Sequence, residues 1–190
     1  MKNGPLKRWG FFCLILSLWI GFPPLAFSQK ATIREVTARR IDSGWKVSFS
    51  LVDGFNEKTE EAIESGVETI FTFFVEAYQK RPWLWDRKVG SFRFHHTLRF
   101  DPIRNEYQVT LGEIGESFFV TTLEEAKRKV SRVEDVEVQL STLVSPRAPL
   151  ELRIKAQVDS IRLPFPLEQL LFFVSLSDAE TDWYIQPLPP

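Results

Sequence analysis

The chain has 190 residues, of which 44% are hydrophobic, 26% charged and 14% aromatic, which is enough for one domain and short for two. With 17 Phe and 6 Trp it carries far more apolar area than a disordered chain leaves in water, and a formal net charge of -1 supplies no basic field for nucleic acid. One Cys and two His remove most metal and thiol chemistry, so neither a cofactor nor a metal is expected.

Residues 1–28 read as an address. Lys2, Lys7 and Arg8 precede the uncharged run Phe11 to Phe22, Pro23 and Pro24 break it, and Ala26 and Ser28 place small residues before Gln29. Basic, apolar, then small is the secretory pattern, and the apolar run is shorter than the roughly 20 residues of a spanning helix. Cleavage before Gln29 is the expected outcome, with an uncleaved membrane anchor as the alternative. Cys13 lies inside the apolar run, so a chain starting at Gln29 has no cysteine and relies on its core alone. Residues 29–190 then form a single exported domain, periplasmic or held at the outer face of the cytoplasmic membrane.

The dominant signal after residue 29 is alternation with period two. Thr32 to Ile41 and Trp45 to Leu51, joined by Asp42-Ser43-Gly44, predict a hairpin. Asn56 caps a predicted helix from Glu57 to Ser65, closed by Gly66. Val67, Thr69, Phe71, Phe73 and Val75 predict a third strand. Phe92, Phe94, Leu98 and Phe100, alternating with Arg93, His95, Thr97 and Arg99, predict a fourth. Asp101 to Asn105 turns the chain into a fifth, Glu106 to Leu111. Thr122-Leu123-Glu124-Glu125 is a capping box, followed by Ala126, Val130 and Val133 on one helical face. Leu150 to Val158 alternates as a late, long strand. Ser117–Thr121, Val136–Leu140 and Trp183–Gln186 are shorter candidates, and Pro166 begins a predicted third helix, Leu167 to Phe173. Many strands with mostly short turns define a mainly β class: an antiparallel β-sandwich or partly open barrel with two or three short inserted or capping helices.

Few residues carry a chemical signal. His95 and His96 are neighbours in a strand, so their side chains leave opposite faces and cannot share a metal. His96 falls among Phe94 and Leu98, where a hydrogen-bonded core histidine is the ordinary outcome. Glu57, Glu60, Glu61 and Glu64 cluster on the first helix, but acids near a helix N-terminus are favoured by its dipole, and no aspartate-rich loop accompanies them. Arg81-Pro82-Trp83-Leu84-Trp85-Asp86-Arg87 is the most informative segment. Aromatics in a connection either fold back over the core as a lid or face a partner. The lid is the leading reading, because buried Trp is normal in such domains; the partner reading names Arg81, Trp83, Trp85 and Arg87 as contacts. The apolar stretch Leu163 to Val174 is expected to pack across an open end of the sandwich. No G-x-S-x-G, H-E-x-x-H or phosphate-cradling glycine loop occurs, and no catalytic residue is assigned.

The order of features resembles an exported bacterial family of unknown function, domain-of-unknown-function family 4390. The resemblance rests on Val47, Phe49 and Leu51, then Glu61 to Gly66 leading into Ile70, Phe71 and Phe74. It continues through Trp83-Leu84-Trp85-Asp86, Phe100-Asp101 with Tyr107, Leu163-Pro164-Phe165-Pro166-Leu167 and Trp183. It implies an envelope protein and carries no activity or catalytic residue with it.

The leading expectation is therefore a non-enzymatic envelope module that binds another envelope protein, with membrane association through the N-terminal segment as an additional tie. The alternative is a small carrier or sensor for an apolar ligand such as a lipid, its cavity lined by Phe71, Phe73, Phe92, Phe94, Phe118, Phe119, Phe172 and Phe173. A hydrolase using two carboxylates would need both to face one cleft, which a sequence cannot supply.

Overall fold

A computed structural model describes residues 30–141, 149–160 and 179–189. The predicted helix Leu167 to Phe173, the apolar Leu163 to Val174 stretch and the N-terminal address lie outside them.

Alternation in the sequence becomes two antiparallel sheets facing each other. The smaller sheet has the order β1-β2-β7, built from β1 (Thr32–Ile41), β2 (Gly44–Val52) and β7 (Arg132–Gln139). The larger contains β3 (Thr69–Gln79), β4 (Arg87–Asp101), β5 (Glu106–Leu111), β6 (Glu116–Val120) and β8 (Leu150–Ser160). It is completed by β9 (Ala179–Glu180) and β10 (Tyr184–Pro187). Its order is β10-β8-β3-β4-β5-β6, with β9 also paired to β8. The protein is thus mainly β and sandwich-like, and no closed barrel forms among the described residues.

The core is where the period-two faces meet. Trp45, Val47, Phe49 and Leu51 of β2 are all buried, opposite Phe71, Phe73 and Val75 of β3 and Leu152, Ile154 and Ala156 of β8. The Phe49 and Phe73 rings join the two layers edge to face at 5.6 Å, and Phe94 stacks on Phe73 at 5.3 Å. Each such side chain is worth about 1.5–3 kcal/mol of burial.

Two helices carry the chain between the layers. Helix α1 (Glu57–Glu64) starts at Asn56, whose side chain accepts from the Thr59 N–H, and buries Ala62 and Ile63. Gly66 follows at φ 85°, the left-handed conformation that closes helices at little cost to glycine. Helix α2 (Leu123–Ser131) is capped by Thr122 and buries Ala126 and Val130. It runs directly into β7, so that strand starts at Arg132 rather than at the expected Val136.

The edges of the smaller sheet are bent. Register shifts interrupt β1 between Arg34 and Thr37 and the β2–β7 pairing between Val47 and Phe49. Glu35 (φ 55°) and Asp135 (φ 52°) occupy these bulges, and the Ser50 hydroxyl donates to Glu35 while the Asp135 N–H donates to Ser48. Charged bulges on both outer strands blunt edges that would otherwise pair with other chains.

Candidate interaction site: the aromatic tip of the β3–β4 hairpin

β3 and β4 form the longest hairpin among the described residues, paired from Thr69 opposite Leu98 to Gln79 opposite Arg87 with a register shift between Ala77 and Tyr78. Residues 80–86 form its tip. Here the structure corrects the lid reading: Trp83 is 101% and Trp85 91% exposed, and Leu84 between them 64%. None of the three covers the core. The strands beneath it stay buried to their ends, at Gln79 and Val89, and the turn beyond them leaves its side chains in solvent.

Local chemistry explains the turn. Pro82 fixes one φ, and Trp83 follows at φ 73°. Pro and then a left-handed residue is the pattern of a type II turn, whose second of these positions normally carries Gly or Asn. A bulky residue there is costly, at about 1 kcal/mol or more.

The root of the tip is braced by four charged groups from three segments. Lys80 Nζ lies 3.0 Å from Asp86 and 2.9 Å from Glu151. Arg153 reaches Asp86 at 2.7 Å and Glu151 at 2.8 Å, with its guanidinium 4.0 Å over the Tyr78 ring. Lys88 is held by Glu76 at 2.6 Å, and Arg87 donates to Gln79 at 3.2 Å. Arg81 is half-buried and has no side-chain partner among the described residues. Of the four predicted contacts, Trp83 and Trp85 therefore share the protruding tip, with Arg81 and Arg87 on its two shoulders.

The hydrogen bond from Lys80, with Arg153 adding to it, holds the Asp86 carboxyl below its usual range against some burial. Burial pushes the Glu151 carboxyl up, but hydrogen bonds from Lys80 and Arg153 outweigh it and the result is again low. The Glu151 and Asp86 hydrogen bonds in turn raise Lys80. Carboxyls lowered by folding stabilise the fold above their unfolded range near 4 and lose that contribution as pH falls through the folded value. Asp86→Asn is accordingly expected to melt below the wild type at pH 7. Melting curves down to pH 3 should show the two proteins converging below about pH 4. A difference that persists undiminished there would mean that the brace does not depend on the Asp86 charge.

The histidines separate as expected. His95 is exposed, whereas His96 is buried against Phe73 and Phe94. Its Nδ1 lies 2.7 Å from the Val130 carbonyl and its Nε2 2.7 Å from Glu113 in the turn between β5 and β6. The Glu113 partner is absent from the sequence reading, because nothing in its spacing marks it. Of the acids on α1, Glu60 pairs with Lys127 of α2 at 2.6 Å.

Phe71, Phe73 and Phe94 are packed among one another and their neighbours between the sheets. Two open grooves of about 440 and 430 Å³ lie beside β7, both lined by Glu134 and Asp135, the first also by Glu113 and Glu137. Both are open, and each carries carboxylates in its wall beside neutral and apolar residues, which does not suit an acyl chain.

These features define a two-sheet β module that presents an aromatic hairpin tip. The chain belongs to the family of domain of unknown function DUF4390, whose model matches residues 28–187. Comparison with curated proteins and with solved structures gives no match.

Proposed function

We propose that the protein is a non-enzymatic interaction module of the cell envelope, which docks on another envelope component through the tip formed by Arg81, Trp83, Trp85 and Arg87. The single observation that carries this reading is the full exposure of two indoles on a braced hairpin. Exposed Trp beside Arg is the composition of interaction hot spots, and its cost in water is met only when a partner covers it. The secretory pattern of residues 1–28 supports an envelope location. The carrier reading has less support, since Phe73, Phe92 and Phe94, three of the phenylalanines that would line a cavity, stack on one another.

A photo-crosslinking residue placed at Leu84 in living cells tests the proposal. Capture of an envelope component is expected there and not at Ile103, a still more exposed apolar position in the β4–β5 turn. Adding Trp83→Ala and Trp85→Ala should reduce capture at least tenfold with an unchanged Tm, because neither indole supports the core. Equal capture from both positions, or none from position 84, would overturn the proposal.

A further inference from the structure

Each sheet ends in two edge strands, and three of the four are blunted. β1 and β7 carry the bulges at Glu35 and Asp135, and β10 is four residues long and ends in Pro187, which has no N–H to offer. The fourth edge, β6, has none of these devices. It pairs with β5 in unbroken register, from Glu116 opposite Leu111 to Val120 opposite Tyr107, and contains no proline. β3, β4 and β5 separate it from β8, the strand that adjoins both residues 142–148 and residues 161–178.

Ladder geometry identifies the groups this edge offers. In antiparallel pairing the N–H and C=O of one residue point to the same side, and successive residues alternate. The Gly112 N–H donates to the His95 carbonyl and the Gly115 N–H to that of Leu111. Thr110 and Gln108 therefore face β4, while Leu111, Val109 and Tyr107 face β6 and engage Glu116, Phe118 and Val120. Ser117 and Phe119 are left with their main-chain donors and acceptors aimed away from the sheet. No backbone bond reaches them from another described segment, and both are exposed, Phe119 at 47%. Phe119 stands on the outer face with Arg104 5.2 Å over its ring, and Arg104 has Asp101 at 3.9 Å. Phe118 shares the opposite face with buried Val109, and Lys129 of α2 lies 4.7 Å over its ring. Lys129 forms no ion pair among the described residues.

We infer that β6 is a strand-addition site, which takes an extended segment of another protein in which apolar and acidic residues alternate. The added strand bonds the main chain of Ser117 and Phe119, sets an apolar side chain beside Phe119, and one position on sets a carboxylate beside Phe118, where Lys129 meets it. A second copy of this chain is the poorer occupant. With Ser117 and Phe119 as the bonding residues, antiparallel self-pairing centres on Phe118 and brings the two Lys129 charges together. The site is separate from the hairpin tip and does not rest on its docking role.

The test is amide hydrogen exchange of the whole chain, read residue by residue, with a short synthetic peptide alternating valine and glutamate at millimolar concentration. The Ser117 and Phe119 amides should exchange about tenfold more slowly or better with the peptide, and the Ile185 amide of β10 should not change. The same peptide N-methylated at every second residue cannot pair and should protect neither. A valine–lysine peptide should protect less, and Lys129→Glu should reverse that order. Phe119→Pro removes an outward N–H and no bond to β5, so the Tm should hold while the valine–glutamate peptide binds about fivefold to tenfold more weakly, the loss of one main-chain hydrogen bond. Lys129→Glu leaves the ladder whole and keeps the test decisive should Phe119→Pro lower the Tm. Unprotected Ser117 and Phe119 amides at that concentration, or equal protection by the N-methylated peptide, would overturn the assignment. So would protection without any peptide: if it rises with protein concentration the occupant is a second copy, and if it does not the chain covers this edge itself.

Discussion

Replacing His96 with leucine is expected to be among the most damaging single changes, at about 3–5 kcal/mol, the cost of leaving one member of a buried polar pair without its partner. The ring is 0% exposed and both of its nitrogens are engaged. The Val130 carbonyl can only accept, so Nδ1 carries a hydrogen; the contact between Nε2 and Glu113 then holds one more proton on one atom or the other. Leucine would strand the Glu113 carboxyl, itself nearly buried, and take the side-chain donor from a carbonyl at the end of α2. Three elements are tied at this point: β4, the last turn of α2 and the β5–β6 turn. The double variant His96→Leu with Glu113→Leu removes both polar groups and should recover much of the loss. Urea unfolding of the single and double variants is the measurement. Equal stabilities for the two, or a nearly neutral His96→Leu, would mean that the pair contributes little.

Phe73→Ala is expected to cost a similar amount, about 3–5 kcal/mol, through lost transfer energy and the cavity left behind. Its ring touches Phe49 across the sandwich and Phe94 and His96 on the neighbouring strand, at centroid distances of 5.0 to 5.6 Å. Phe74 is the internal control. One residue further along β3, it faces the opposite side of the sheet, half-buried with Arg93 at 5.0 Å over its ring. Phe74→Ala should cost about 1 kcal/mol or less, the scale of an exposed cation–π contact with some surface burial. Equal losses at the two positions would place both rings in core, against the single buried face that the register assigns.

The strands were legible because burial on one face forces period two, and the best-read elements are those with the cleanest alternation. Glu106 to Leu111 coincides with β5, and Leu150 to Val158 falls within β8. Reading failed where the pattern is locally broken. The start of β7 is hidden because Glu134 and Asp135 sit in a bulge, which interrupts the alternation between Val133 and Val136. β9 is two residues long, too short for any period to show. The aromatic tip was visible as composition but its exposure was not, since a turn has no periodicity that assigns its side chains to a face. The brace was invisible for a different reason: Arg153 and Asp86 lie 67 positions apart and meet only because β8 pairs with β3. The same holds for His96 and Glu113, joined by a turn whose residues carry no motif.

On the proposed docking role the tip serves contact and not folding, and Trp83→Gly separates the two. Glycine relieves the left-handed strain at φ 73° and removes one indole. The measurement is the Tm of this variant beside its capture from a photo-crosslinker at position 84. An equal or higher Tm with capture lost is the expected result. A fall in Tm with capture intact would make the tip a structural element and overturn its docking role.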